Sequence, residues 1–356
     1  MEKQAAKWVV GIGKYVVGFA ILAAVIHGYW EPNAEKASPG LRDLLRGPIA
    51  WQSLLACLLL MIVTFLLQIV RWYLLVRSLE IPFKLRRAFQ LGLLGLFGNT
   101  FLPGSVGGDF FKAYLIGKDS PGQRTAAVST VLMDRGFGLF GLLLFAAVLG
   151  SIAWAGGDAR VLANAELQWM ILATAAIAGA CAIGFLLLGF IPQRGVDGIA
   201  DWLRSRSRIG AVLANLWQAV CMFRRRMRIM GYGLLLTAVS HFAIVITFYF
   251  AASVFPSKHP ETDTATLPEL MVIAPIGFVA QALPLAPGGL GVGEAAFAGL
   301  YRLADRPGSQ GVIARLSMRI AEWLIALAAW FVYLRLREEL GAASEGVKQE
   351  QAAPST

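Results

Sequence analysis

The residues of this chain that could do chemistry are charges stranded in otherwise apolar stretches: Asp134 and Arg135 in one, Arg315, Arg319 and Glu322 in another. A charge at the centre of a bilayer costs at least about 2.5–3.5 kcal/mol, so such groups must face protein or water rather than lipid. Arg315, Arg319 and Glu322 recur at helical spacing and share one face. Two further acids, Asp109 and Glu294, each open an apolar segment directly behind a Pro/Gly break. An acid there can cap a helix by accepting from its free N–H groups. It can also pair with Arg135 or Arg319 across a central cavity, where helix N-termini and guanidinium forks would offer donors to a phosphate. A purely structural buried ion pair is the plainer reading of the same residues.

The two breaks look like copies. One reads Leu102-Pro103-Gly104-Ser105-Val106-Gly107-Gly108-Asp109, the other Ala286-Pro287-Gly288-Gly289-Leu290-Gly291-Val292-Gly293-Glu294. Pro103 and Pro287, Gly104 and Gly288, Gly107 and Gly291, and Arg135 and Arg319 are each 184 residues apart. Proline removes a backbone donor and glycine weakens a helix, so each loop must interrupt a membrane segment. Irregular backbone at membrane depth is tolerated only inside protein or along a watery cavity, and matched breaks in two halves point to a transporter's binding site.

Composition sets the class. Of 356 residues, 57% are hydrophobic and only 15% charged, with a mean hydropathy of +0.63. Soluble domains carry about a quarter charged residues, so the chain is a polytopic membrane protein. Its net charge of +10 comes from Lys and Arg in short clusters between apolar runs. That is the pattern of cytoplasmic loops and anionic-lipid contacts, not of nucleic-acid binding. Cys57, Cys181 and Cys221 show no pairing pattern, and His27, His241 and His259 have no ligand spacing. Neither a metal nor a cofactor is expected.

Full spans are predicted over 8–28, 50–76, 125–150, 167–190, 229–254 and 309–334. The first resembles a signal peptide's apolar region but is long and has no convincing cleavage site, so it reads as a retained helix. Residues 84–117 and 268–304 hold the breaks. Their arms, notably Phe110 to Gly117, are too short for two crossings and predict re-entrant hairpins. Arg71, Arg77, Lys84, Arg86 and Arg87 place the end of the second span in the cytoplasm. Residues 191–228, rich in arginine, suit either an amphipathic segment on the membrane surface or a charged linker. Trp8, Trp30, Trp51, Trp72, Trp154 and Trp169 read as interfacial anchors. The expected fold is an all-α integral membrane protein with six full transmembrane helices and two re-entrant hairpins in an inverted repeat (50–150 and 229–334). Residues 1–340 form one domain, both termini are cytoplasmic, and 341–356 form a disordered tail.

Some patterns carry no chemistry. Gly136, Gly138 and Gly141 match a dinucleotide fingerprint inside a span with no preceding strand, which means close helix packing instead. Gly289, Gly291 and Gly293 lack the Lys-Ser/Thr of a phosphate-binding loop. No nucleophile–base pair is legible.

Asn99-Thr-Phe-Leu-Pro103-Gly-Ser-Val-Gly-Gly-Asp109, the following Asp134-Arg135, and Pro287-Gly-Gly-Leu-Gly-Val-Gly-Glu294 resemble the lysylphosphatidylglycerol synthase transmembrane (flippase-like) family over roughly residues 10–335. In the best-understood members this domain flips aminoacylated phosphatidylglycerol made by an attached synthase. The chain ends shortly after its last span, so the resemblance implies a stand-alone member without a synthase domain. Stand-alone members are similar to translocators of other polar lipids, some encoded beside glycosyltransferase or hopanoid genes. The resulting expectation is a non-enzymatic lipid translocator of the bacterial inner membrane. A phosphate-bearing lipid would be held by Asn99, Pro103, Gly104, Gly107, Gly108, Asp109, Asp134, Arg135, Pro287, Gly288, Gly289, Gly291, Glu294, Arg315, Arg319 and Glu322. Its partners would be that lipid and a separate synthase or glycosyltransferase, with a homodimer among the open oligomeric states. The alternatives are a membrane transferase or phosphatase acting on a lipid headgroup, and a non-transporting membrane partner of a separate synthase.

Overall fold

Apolar runs without breakers become helices because hydrocarbon offers the backbone no partners other than its own. The computed structural model describes residues 2–32, 38–101, 107–206, 208–224, 226–259, 263–282 and 286–352. Pro103 and Gly104 lie outside these. Among the described residues the chain is helical, with no strand: α1 (Glu2–Gly28), α2 (Leu41–Leu45), α3 (Trp51–Ser78), α4 (Leu85–Phe101), α5 (Gly107–Asp119), α6 (Arg124–Ala155), α7 (Ala159–Ala163), α8 (Ala165–Leu188), α9 (Gln193–Arg206), α10 (Arg208–Phe223), α11 (Met227–Ala252), α12 (Leu267–Ala282), α13 (Val292–Leu303) and α14 (Gly308–Ala352). A 3-10 turn, Pro287–Gly289, follows α12.

The helices α3, α6, α8 and α11 are long and apolar enough to cross a membrane. The other two expected spans are also helical, in α1 and α14, but are not among those four. Three details go beyond what the sequence predicts. The arm after the first break is longer than expected, Gly107–Asp119. The stretch 191–228 is a pair of packed helices, α9 and α10, joined by Trp217 Nε1 donating to the Val196 carbonyl at 3.0 Å and seated on α6. The last helix runs to Ala352, through most of the expected tail, where Ala343, Glu345, Lys348 and Gln349 are good helix formers.

The packing is two-fold in pattern. α3 and α11, the first long helices of the two units, pack on each other. α4 packs on α5 and on α14, and α12 packs on α13 and on α6, so each broken pair leans on the long helix of the other unit. The largest core lies along α3, α6, α11, α12, α13 and α14, where the Phe297 ring stacks on Phe248 at 4.2 Å and meets Phe278 edge-on.

Both broken pairs are clasped at their open ends by an ion pair. Arg87 at the start of α4 meets Asp119 at the end of α5 at 2.7 Å. Glu269 at the start of α12 meets Arg306 beyond α13 at 2.9 Å. In each pair the chain therefore leaves beside the point where it entered.

Glycine makes the α4–α5 contact possible. A Cβ on Gly108 would lie 1.9 Å from the Gly95 carbonyl oxygen and 2.7 Å from the Asn99 nitrogen. The close-packing role expected of the glycines in α6 holds at Gly141, whose Cβ would meet Thr237 at 2.1 Å. It fails at Gly136, which has nothing within 4 Å. Gly108→Ala should therefore force α4 and α5 apart and destabilise the purified protein by about 3 kcal/mol, the upper end of overpacking costs. Gly136→Ala should leave the melting temperature in detergent unchanged or raised. Equal melting of Gly108→Ala and wild type would contradict the close approach.

Candidate functional site

Each break is closed by a carboxylate in the first turn of the next helix. Asp109 and Glu294 are both the third residue of their helices, α5 and α13. In sequence they are one position out of register with the 184-residue offset. The offset disappears in the fold because α5 starts at Gly107 whereas α13 starts one position later in the repeat, at Val292.

In the second break Glu294 accepts from the Gly291 N–H at 2.8 Å and from Arg319 Nε at 2.5 Å. The other nitrogens of Arg319 donate to the Gly288 carbonyl at 3.2 Å, the Gly289 carbonyl at 3.1 Å and Glu294 Oε2 at 3.2 Å. One planar fork thus gathers the orphan carbonyls of the 3-10 turn and the acid that caps the next helix. Gly288, Gly289 and Gly291 all adopt positive φ (58°, 63° and 76°), a region that L-residues avoid. A Cβ on Gly291 would also strike the Gly18 carbonyl of α1 at 2.6 Å. Beside this turn the fully buried Arg315 donates to Gln281 at 2.6 Å and to Glu322 at 3.0 Å. Its remaining terminal nitrogen is buried with no partner among the described residues.

In the first break Asn99 organises the start of α5. Its carbonyl accepts from the N–H groups of Gly108 (3.0 Å) and Asp109 (3.3 Å), and its amide donates to Asp109 at 3.4 Å. Arg135 Nε donates to the other Asp109 oxygen. Asp134, expected to serve the same site, faces elsewhere. It accepts from Arg71 Nε at 2.8 Å and lies 3.9 Å from Lys112. Arg71 also donates to Thr237 of α11 at 2.8 Å.

The structure thus brings Asn99, Gly108, Asp109 and Arg135 together at one break, and Gly288, Gly289, Gly291, Glu294, Arg315, Arg319 and Glu322 at the other. Four participants go beyond the residues that the sequence singles out. Arg71 stands in the cation cluster that marks a cytoplasmic end, but it is buried and paired because it lies about two helix turns inward from the end of α3 at Ser78. Lys112 is buried, its ammonium 4.2 Å over the Trp72 ring. Trp72 is correspondingly no interfacial anchor: it is fully buried and donates to Thr130 at 3.2 Å. Glu269 holds Arg160 (2.6 Å) as well as Arg306. A lysine within the apolar arm was the one visible signal; Arg71, Gln281 and Glu269 offered none, since their roles depend on which helix faces them.

The matched pairs differ in exposure. The Arg319 side chain is 4% exposed, whereas that of Arg135 is 45% exposed. The breaks are close to one another, since α4 touches the 3-10 turn, and α1 runs along both. Tyr15 of α1 donates to the Phe101 carbonyl at 3.4 Å, and Gly18 abuts Ala286 and Leu290.

Long apolar helices, buried ion pairs and two clasped breaks define a multi-pass membrane protein. Residues 39–329 match the family described as the lysylphosphatidylglycerol synthase TM region, and the chain belongs to it. It is similar to two UPF0104 membrane proteins of Methanothermobacter thermautotrophicus. One is 26% identical over 330 residues, covering 87% of this chain and 91% of the relative. The other is 24% identical over 296 residues, covering 76% and 80%. No solved structure matches the chain.

Arg319 should be indispensable to folding. Arg319→Ala strands a buried carboxylate and two carbonyls, so it should cost about 3–5 kcal/mol in thermal melts of the purified protein. Arg319→Lys should recover only part of this, because an ammonium cannot reproduce the fork. The double variant Arg319→Gln with Glu294→Gln should melt above Arg319→Ala. A fully stable Arg319→Ala would show that the pair does not hold the turn.

Proposed function

We propose that this chain is a lipid translocator that carries a polar, phosphate-bearing lipid across a bacterial cytoplasmic membrane. In this reading α1, α3, α6, α8, α11 and α14 are six crossings, and the pairs α4–α5 and α12–α13 are re-entrant hairpins of an inverted repeat. The arms, 17 and 13 residues in one hairpin and 16 and 12 in the other, reach about 18–26 Å against a hydrocarbon core of about 30 Å. Their clasped ends fit entry and exit on one face. The Lys and Arg clusters support a cytoplasmic position for the end of α3, the α9–α10 pair and both termini.

The observation that carries the proposal is the unequal exposure of two matched sites. A transporter built from inverted repeats works by one half opening while the other is sealed. Arg135 exposed and Arg319 enclosed is the arrangement of one such state. The lipid phosphate would engage the Arg135 fork beside Asp109 while its tails stay in the bilayer. Sealing that half would release Arg319 from its carbonyls, and the spare nitrogen of Arg315 would meet a phosphate oxygen there. Asp109, Asp134, Glu294 and Glu322 keep the cluster near neutrality while the anion is absent. The chemistry needed is binding and release, so we read the chain as a carrier and not an enzyme. A separate synthase or glycosyltransferase would make the cargo.

Two measurements test this. Arg135→Lys should stay folded and inserted but translocate at least about tenfold more slowly in liposomes, because a point charge cannot grip phosphate bidentately. The readout is headgroup accessibility to a membrane-impermeant reagent, and near-normal rates would remove the phosphate-grip role. In a background lacking Cys57, Cys181 and Cys221, single cysteines at Lys84 and Lys258 should label from opposite faces. Labelling from one face would exclude the inverted arrangement.

A further inference from the structure

A groove of about 470 Å³ opens between α8 and the α12–α13 pair, lined by neither Arg135 nor Arg319. Its walls are apolar: Met170 of α8, Ile276 of α12, and Ala296 and Gly299 of α13. Its rim is not. Glu166 stands in the first turn of α8 and Arg302 in the last turn of α13, both exposed, and among the described residues neither forms an ion pair. Arg302 also lies over the Tyr29 ring, its guanidinium 6.0 Å from the ring's centre. From Arg302 back to Ala296 the wall runs about 9 Å along the helix, so the groove leads from a charged rim toward the second break. A Cβ on Gly299 would have nothing within 4 Å: it points into open space.

We propose that this groove holds an acyl chain of a phospholipid with a zwitterionic headgroup, its phosphate on Arg302 and its ammonium on Glu166. The rim selects the class. An anionic headgroup would satisfy Arg302 and leave Glu166 facing negative charge, whereas an ethanolamine or choline headgroup complements both. The apolar walls suit a chain already dissolved in the bilayer. This site requires only that the chain sits in a membrane, and it stands whether or not lipid is translocated.

The test uses the full chain, delipidated in detergent and offered phosphatidylethanolamine or phosphatidylglycerol, with retention read by native mass spectrometry. Wild type should retain the ethanolamine lipid over the glycerol lipid by about two- to fivefold, the scale of exposed charge pairs. Glu166→Gln should bring that ratio to about one, and Arg302→Gln should weaken retention of both lipids by a similar factor. Gly299→Phe, which fills the groove, should lower ethanolamine-lipid retention about tenfold at an unchanged melting temperature. Gly299→Leu provides the same reading if the larger ring prevents folding. Undiminished retention in the filled groove overturns the proposal, as does a ratio unmoved by Glu166→Gln. Loss of a dimer peak on filling the groove, with lipid retention intact, would assign it to a second copy of the chain and overturn it equally. Glu166→Gln should leave translocation in liposomes near the wild-type rate, so failure of translocation and failure of this site are told apart.

Discussion

A helix broken inside a membrane leaves carbonyls and N–H groups that no water can satisfy, and the rest of this structure depends on how the two breaks are closed. At the second break one guanidinium does most of it. Arg319 holds the carbonyls of Gly288 and Gly289 and the carboxylate of Glu294, while Glu294 accepts from Gly291. Each unsatisfied group would cost several kcal/mol in hydrocarbon. A buried ion pair is usually weak evidence for stability, because desolvation offsets attraction. Here it is more, since its donors also satisfy backbone that has no alternative. Lysine could replace the charge but not the geometry, and a neutral side chain replaces neither.

The same constraint explains the glycines. A fork can reach the turn only if the backbone bends through left-handed conformations at Gly288, Gly289 and Gly291. α1 can cover the turn only if Gly291 carries no side chain against the Gly18 carbonyl. At the first break the close approach is between helices, Gly108 against Gly95, and Asn99 accepts from the N–H groups of Gly108 and Asp109.

Reciprocal packing ties the halves together. α4 leans on α14 and α12 on α6, so a movement of either hairpin is felt by the arginine-bearing helix of the other unit. The clasps Arg87–Asp119 and Glu269–Arg306 keep the ends of each broken pair together. The chain belongs to the lysylphosphatidylglycerol synthase TM family, and within this packing Arg135 is exposed where its counterpart Arg319 is enclosed.

Much of this was legible without coordinates. Hydropathy marks α3, α6, α8 and α11 because a crossing needs about twenty apolar residues regardless of its neighbours. The 184-residue repeat locates both breaks and pairs Arg135 with Asp109 and Arg319 with Glu294, because charges in apolar segments must find opposite charges. Tertiary structure alone decided the rest. Arg71 looked like one more cytoplasmic cation, yet it is buried against Asp134 because α3 turns that face toward α6 and α11. Trp72 looked like an anchor and is a core residue under Lys112 for the same reason. Nothing in the spacing of Glu269, Arg160 and Arg306 announces a clasp, since their meeting depends on where α7 ends relative to α12. Periodicity and composition report what a segment must bury. Which partner it is buried against is set by the packing of helices distant in sequence, and that packing also leaves one of two equivalent arginines enclosed and the other exposed.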